Sequence, residues 1–441
     1  MSILKAVRGT RDLLPPETDL WNRIESAARA VFERYRFREI RTPIFEDTQL
    51  FSRGVGEETD IVSKEMYTWE DRPRAQSEKA QSLTLRPENT AGVVRAYIEH
   101  RMGEGGQLQK LYYIGPQFRR ERPQKGRYRQ FFQIGAEVLG PPSAGSESPL
   151  RDAEVLEMLA ALLNEVGIRN WKLKINSVGS SEDRARYVAT LREALAPVAQ
   201  GMCEDCRRRA VTNPLRVLDC KVPEDQPIIA GLPRIWDSLD EASRTHFAAV
   251  CAALDACGIG YEHDHRLVRG LDYYTRTTFE FVEEAEGAAG ALGAQNALLG
   301  GGRYDGLSEA IGGPAAPGIG FAIGEDRLVL ALEARSPQKA RLADAYIAPL
   351  GEQTNAGALA LAKELRAGGL KVELGDGLFR MKKSLEAANK QARLVVILGE
   401  DELASGILTV KNFATGVQLK VPRGRLAQEL TELLAATPHS N

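Results

Sequence analysis

Between Arg119 and Arg129 the chain carries Arg119, Arg120, Arg122, Lys125, Arg127 and Arg129 against a single acid, Glu121. Charges at that density hold phosphate or form a solvated face, and charge alone does not separate the two readings. The residues that follow do more. Gln133 and Glu137 stand four apart, so on an extended strand their side chains point the same way. An amide and a carboxylate on one face of an apolar strand are costly to bury without partners, so the pair reads as the lining of a pocket. Elsewhere Arg269, Asp272, Tyr273 and Tyr274 cluster where a turn meets a strand pattern. Arg327 falls in the first turns of a helix, where a buried arginine needs an anion.

These groups need elements to hold them. LYYIG before the basic run and FFQIGAEVLG after it, with Pro123 and Gly126 between, predict two strands joined by a basic loop. Leu20, Ile24, Ala27, Ala28, Val31, Phe32 and Tyr35 recur at helical spacing, giving a helix over 18–35 with one apolar stripe to lay on a sheet. Pro43 within REIRTPIFED demotes that segment to an edge strand or a strand at an interface, because proline donates nothing to a ladder. In TLRPENTAGVVRAY, Pro87 and Thr90 mark a helix start, where Glu88, Asn89 and Thr90 can orient a small polar ligand beside the helix dipole. Simple capping accounts for Asn89 or Thr90 but not for the whole string.

Residues 141–150 read as a loop before an apolar helix, and WKLKINSVG as a strand. Residues 180–257 change character, with helical patterns and the run Arg207, Arg208, Arg209. They read as an inserted helical module, either a structural elaboration or a surface for nucleic acid. GGGRYDGL, 300–307, is expected to be a glycine-rich loop, and GIGFAIGEDRLVLAL a small-residue strand entering a helix. After a charged linker, strands and helices alternate over 343–441, predicting a compact α/β domain with a mostly parallel sheet.

With 441 residues, 43% of them hydrophobic, the chain has room for two or three domains. A net charge of -2 excludes a generally basic nucleic-acid binder, so any such contact is local. No apolar run reaches the length of a signal core or a membrane span, which makes a cytoplasmic enzyme the expectation. The five cysteines, at 203, 206, 220, 251 and 257, are odd in number and suit reduced thiols. Cys203 and Cys206 form a CxxC, but no second CxxC or HxxxH completes a ligand set, so no structural metal is expected.

Taken in order, RGTRDLLP, RTPIFED, LRPENT, FRRERPQKGRYRQFFQIGAEVLG, LVRGLDYYT, GGGRYDGL and GIGFAIGEDRL resemble the signature strings of the histidyl-tRNA synthetases, a class II aminoacyl-tRNA synthetase family. The resemblance spans nearly the whole chain. It implies an α+β catalytic domain over 1–336, an antiparallel sheet flanked by helices, interrupted by the helical insertion at 180–257. It further implies a C-terminal α/β anticodon-binding domain over 343–441 and a homodimer formed around the proline-bearing first motif.

Carried over by residue, Arg119, Arg269 and Arg327 would be the catalytic cations and Arg119, Arg127 and Arg327 would bind ATP. Glu88, Asn89, Thr90, Arg119, Gln133, Glu137, Arg269, Tyr273, Tyr274 and Tyr304 would surround L-histidine. Gln124, Lys125 and Arg129 would grip the acceptor end of tRNA(His). ATP with Mg²⁺ is the implied co-substrate, and attack of the histidine carboxylate on the α-phosphorus needs fixed positive charge rather than a protein nucleophile.

Many members of the family have glycine at Asn89, histidine at Arg120 and Phe132, and glutamate at Asp326. Two synthetase-like rivals are a regulatory paralogue that partners ATP phosphoribosyltransferase and a tRNA-sensing module attached to a kinase. The first lacks the anticodon-type domain that 343–441 supplies, and no kinase signature occurs here.

Overall fold

Tyr112 and Tyr113 are adjacent in sequence and lie in different apolar clusters. That is what a strand covered on both faces does with consecutive side chains. The computed structural model describes residues 3–71, 80–124, 126–284, 296–334 and 342–436. The chain divides into two compact units, Met1–Gln338 and Lys339–Asn441. Among the described residues no helix is long and apolar enough to cross a membrane.

In the first unit the described strands of the main sheet run in the order Arg38–Glu39, Gln109–Phe118, Gln130–Leu139, Gly318–Gly324, Ala297–Arg303, Thr275–Glu283, Trp171–Ser177 and Tyr261–His263. The inner pairings are antiparallel and only the two outermost are parallel. The expected hairpin pairs in register from Gln109 with Leu139 to Phe118 with Gln130. Pro43 falls between the short strands Arg38–Glu39 and Phe45–Asp47, each at the edge of its sheet, where its missing donor costs nothing.

One face of the sheet is covered by the helices Glu17–Arg34, Pro149–Val166, Glu241–Ala256 and Glu325–Glu333. Leu20, Ile24, Val31 and Phe32 meet Phe279, Phe281, Ile319 and Phe321 in that core. Each such side chain contributes about 1.5–3 kcal/mol on burial. The strands turn Gln133, Gly135, Glu137, Gly318, Gly320, Ala322 and Gly324 the other way, opposite Ile134, Ala136, Ile319, Phe321 and Ile323, which lie in the core. On that second face Val93, Val94 and Tyr97 of helix Thr90–Glu99 pack with Leu111, Tyr113 and Tyr304.

Two expectations change in this unit. The glycine triplet is the end of the strand Ala297–Arg303 and not a loop. A Cβ on Gly301 would sit 2.1 Å from the Gly320 carbonyl oxygen, and one on Gly302 2.7 Å from that of Thr277, so glycine here permits close strand approach. The inserted module keeps its own core, from Val178, Tyr187 and Leu191 through Leu215 and Val217 to Leu239. Helix Glu241–Ala256, expected to close that module, instead sets Phe247, Val250 and Leu254 into the main core.

In the second unit the strands Val372–Leu374, Ala343–Pro349 and Ala392–Leu398 are parallel, while Ile407–Asn412 and Gln418–Pro422 add antiparallel. The sheet is therefore mixed rather than mostly parallel. A connection as short as the one between those last two strands, with Gly416 at φ +74°, can only reverse the chain. Arg380, Lys382, Lys383 and Lys390 are exposed around helix Met381–Gln391.

Candidate active site

The inward faces of the hairpin and of strand Gly318–Gly324 meet at the pairs Glu137 with Gly320 and Gln133 with Gly324. A Cβ on Gly320 would lie 1.6 Å from Glu137 Oε2, so the bare strand makes the room that the carboxylate fills. Glu137 is fully buried. Thr90 Oγ1 donates to Oε1 at 2.7 Å, Tyr304 O–H to Oε2 at 2.7 Å, and Tyr113 O–H reaches Oε1 at 3.4 Å. Burial pushes the Glu137 carboxyl up to about 8; the Thr90 and Tyr304 hydrogen bonds oppose the rise and the Glu88 charge adds to it.

Glu88 sits at the head of helix Thr90–Glu99, where its two oxygens accept from the amides of Thr90 at 2.8 Å and Ala91 at 3.0 Å. That is capping by a carboxylate at the positive end of the dipole. Burial nevertheless raises the Glu88 pKa, with those amides opposing it. Each oxygen keeps a second lone pair. Asn89 Oδ1 accepts from Thr42 Oγ1 at 2.7 Å, which ties the helix start to the segment around Pro43. Tyr273 packs against Tyr274 at 4.7 Å between ring centroids and edge-on to Tyr304 at 5.8 Å, closing an aromatic wall beside this polar group.

Further along the same strands opens a cleft of about 430 Å³, lined by Arg119, Arg127, Gln133, Arg269 and Arg327 among others. The arginines come from three elements. Arg119 leaves the end of the first hairpin strand, donates from Nε to Pro87 O at 2.9 Å and lies 5.2 Å from the Phe131 ring centroid. Arg127, at the hairpin tip, is 3.3 Å from Glu121, which also stands 3.8 Å from Arg119. Arg327 donates from Nε to Ala297 O at 2.6 Å; burial, and then the charge of Arg127, make its cation harder to keep.

Arg269 rides on the loop before strand Thr275–Glu283, and its guanidinium pairs with Glu280. A Cβ on Gly300 would come within 2.6 Å of that guanidinium, so the glycine triplet also clears a path for it. The loop is pinned from three sides, by Asn176 Nδ2 to Leu267 O at 3.1 Å, Asp272 N to Val55 O at 3.1 Å and Arg184 to Asp272 at 2.9 Å. Gln133 lines the cleft with a buried Oε1 that finds no hydrogen-bond partner among the described residues.

Not every expected residue converges here. Gln124 pairs with Arg127 across the hairpin tip, N to O at 3.1 Å, while Arg129 turns to the N-terminal segment, its amide donating to Gly9 O at 2.7 Å. Lys125 lies outside the described residues. Conversely, Glu121, Glu280, Asp219 and Lys221 line the cleft without having been singled out. Glu280 was legible, since it alternates with core-facing Phe279 and Phe281. Asp219 and Lys221 come from the insertion and carry no local signal.

A family model described as Histidyl-tRNA synthetase matches residues 9–328, and one described as Anticodon binding domain matches 344–433. The histidine–tRNA ligase of Koribacter versatilis (strain Ellin345) is 68% identical over 96% of this chain and 95% of its own. That of Solibacter usitatus (strain Ellin6076) is 58% identical, covering 97% and 99%. The crystal structure of apo S. aureus histidyl-tRNA synthetase superposes with a TM-score of 0.77 at 37% identity, over 97% of this chain and all of that one (100%). With an antiparallel sheet of class II type, an arginine-lined cleft and relatives matched almost end to end, the chain belongs to the histidyl-tRNA synthetase family.

Proposed function

We propose that the cleft and the buried cluster beside it are where this chain, a histidine–tRNA ligase by family, carries out both steps of its reaction. ATP activates histidine to an adenylate, and the amino acid then passes to the 3′ end of tRNA(His). The observation that carries the assignment of the site is the continuity of one strand face. Glu137 lies at the closed end of that face and Gln133 at its junction with an arginine-lined cleft.

In the activation step two anions must approach. Arg119 and Arg269 meet the histidine carboxylate and the α-phosphate, and Arg127 and Arg327 hold the remaining phosphates. Arg119, Arg269 and Arg327 are fixed before substrate arrives, by Pro87 O, Glu280 and Ala297 O, so little reorganisation accompanies reaction. Glu88, Thr90 and Gln133 receive the α-amino group, for which Gln133 Oε1 and the spare Glu88 lone pairs are suited acceptors. Asn89 ties down the start of the helix at which Glu88 and Thr90 stand.

Glu137, with Tyr273, Tyr274 and Tyr304 around it, receives the imidazole. A buried group that must be hydrogen-bonded rejects analogues lacking the match by roughly 10⁴ to 10⁵. ATP enters with Mg²⁺, which characteristically takes one or two carboxylates plus phosphate oxygens. Glu121 and Glu280 offer such carboxylates in the cleft, where the ion would neutralise phosphate charge. Gln124, Lys125 and Arg129 meet the tRNA end.

The exposed Ile44, Phe45 and Trp69, with Phe45 edge-on to Trp69 at 6.0 Å, favour a second copy covering this small sheet, hence a homodimer. We assign the chain to the cytoplasm with its family. Pyrophosphate exchange with each amino acid, followed by charging of a tRNA(His) transcript, tests the reading. Exchange supported by another amino acid and not by histidine would overturn it, whereas histidine binding without exchange would favour the regulatory paralogue.

A further inference from the structure

A CxxC pair and a third thiol from farther along the chain converge in the inserted module. Cys203, Cys206 and Cys220 offer sulfurs, and Asp225 a carboxylate oxygen, that all lie within 4.8 Å of one another. The last three residues are buried, so the group is not a chance gathering on a surface. All five cysteines of the chain are free thiols.

We propose that this group is a structural binding site for one thiophilic divalent ion, zinc by its donor chemistry. Three features support it. The Cys203 and Cys220 sulfurs stand 3.9 Å apart. A disulfide requires about 2.05 Å, whereas tetrahedral zinc with Zn–S bonds of about 2.3 Å sets its sulfurs about 3.8 Å apart. Asp225 Oδ2 lies 3.2 Å from the Cys220 sulfur, close enough to complete a four-donor set with modest opening. Thiolates select zinc over magnesium or calcium, which prefer oxygen cages.

The surroundings are arranged as metal-site surroundings are. The amide of Cys206 points at the Cys203 sulfur at 3.4 Å, and that of Val222 at the Cys220 sulfur at 3.4 Å, so these two sulfurs already have a donor that favours the anion. The Cys203 amide fixes the carboxylate, at 3.0 and 3.3 Å from the two Asp225 oxygens. Cys203 is also the N-cap of helix Glu204–Thr212, whose positive end faces the thiols. Binding would displace three thiol protons to solvent and form three metal–sulfur bonds and one metal–oxygen bond.

The consequence is a staple between the helix start and the loop around Cys220, whose neighbours Asp219 and Lys221 line the cleft. Zinc content of the full-length chain, measured after passage over a chelating resin, tests the proposal. One zinc per chain is expected, and cobalt exchanged into the site should give the visible and thiolate charge-transfer bands of tetrahedral coordination. Cys206→Ser and Asp225→Asn should lower zinc affinity by about ten-fold or more, while Cys257→Ser, at an exposed position, should leave it unchanged. A wild-type chain that retains no zinc and gives no such cobalt spectrum overturns the site, whether its thiols are then found reduced or joined as a Cys203–Cys220 disulfide. Because the decisive measurement is on the wild-type chain, misfolding of a variant does not obscure it.

Discussion

Gly320→Ala adds one methyl group at the centre of the proposed histidine pocket, and the geometry sets its cost. The new Cβ would lie 1.6 Å from Glu137 Oε2, 2.5 Å from its Cδ and 2.8 Å from the backbone oxygen of Ala136, whereas ordinary contact begins near 3.4 Å. The Ala136 oxygen belongs to a paired strand and cannot retreat, so the carboxylate must. In moving, it gives up the 2.7 Å bond from Tyr304. Leaving the buried Tyr304 hydroxyl without its partner costs about 1–3 kcal/mol, and overpacking a filled site adds about 1–3 kcal/mol.

Together these make roughly 2–6 kcal/mol, which at about 1.36 kcal/mol per decade is a loss of about 30-fold to 10⁴-fold in kcat/KM for histidine. Pyrophosphate exchange at varied histidine reads it, with KM for ATP expected to change little because the cleft is untouched. Thermal unfolding of the same variant separates a displaced carboxylate from an unfolded chain. A folded variant whose kcat/KM for histidine stays within about three-fold of wild type, under 1 kcal/mol, would refute the role given to Glu137.

Arg269→Ala should abolish adenylate formation in single-turnover assays while leaving the fold intact, a loss of about 2.7–4 kcal/mol or more by analogy with an oxyanion donor; unchanged turnover would remove it from the mechanism. The Glu137 carboxyl, at 4.5 when unperturbed and raised to about 8 in the folded chain, makes the native state bind the extra proton. Its contribution to stability is therefore present in full below about 4.5 and is lost as pH rises towards about 8. Denaturant titrations of histidine-free protein across that window should show a steeper fall in wild type than in Glu137→Gln, where the raised carboxyl of Glu88 still contributes; equal slopes would contradict the shift. Arg303, fully buried, donates from Nε to Asp152 at 3.1 and 3.2 Å and pairs with Asp305 at 3.0 Å. Arg303→Met should cost about 3–5 kcal/mol by stranding Asp152, read as a lower urea midpoint; an unchanged midpoint would show that Asp152 finds other partners.

Local patterns account for much of the catalytic unit. The two-residue alternation that sent Gln133 and Glu137 to one face is a property of extended backbone alone, so it holds before any partner strand is known. Helix periodicity located the stripe from Leu20 to Phe32, and Pro87 located the helix start at Thr90, for the same reason. Resemblance to a family supplied the arginines' roles, which no local pattern contains.

Everything that depends on strand order was outside that reach. Glu137 meets Thr90 and Tyr304, 47 and 167 residues away, only because strands and helix assemble in one register. The glycine triplet read as a loop because its bare residues carry no strand signal, and their meaning appears only where Arg269 and the Gly320 carbonyl come close. The CxxC carried no sign of the proposed site because the other donors it would use, Cys220 and Asp225, are ordinary residues of a turn-rich segment until that segment folds back onto Cys203. Backbone geometry writes itself into a run of neighbouring residues; contact between distant side chains does not, because it is set by how the whole sheet closes.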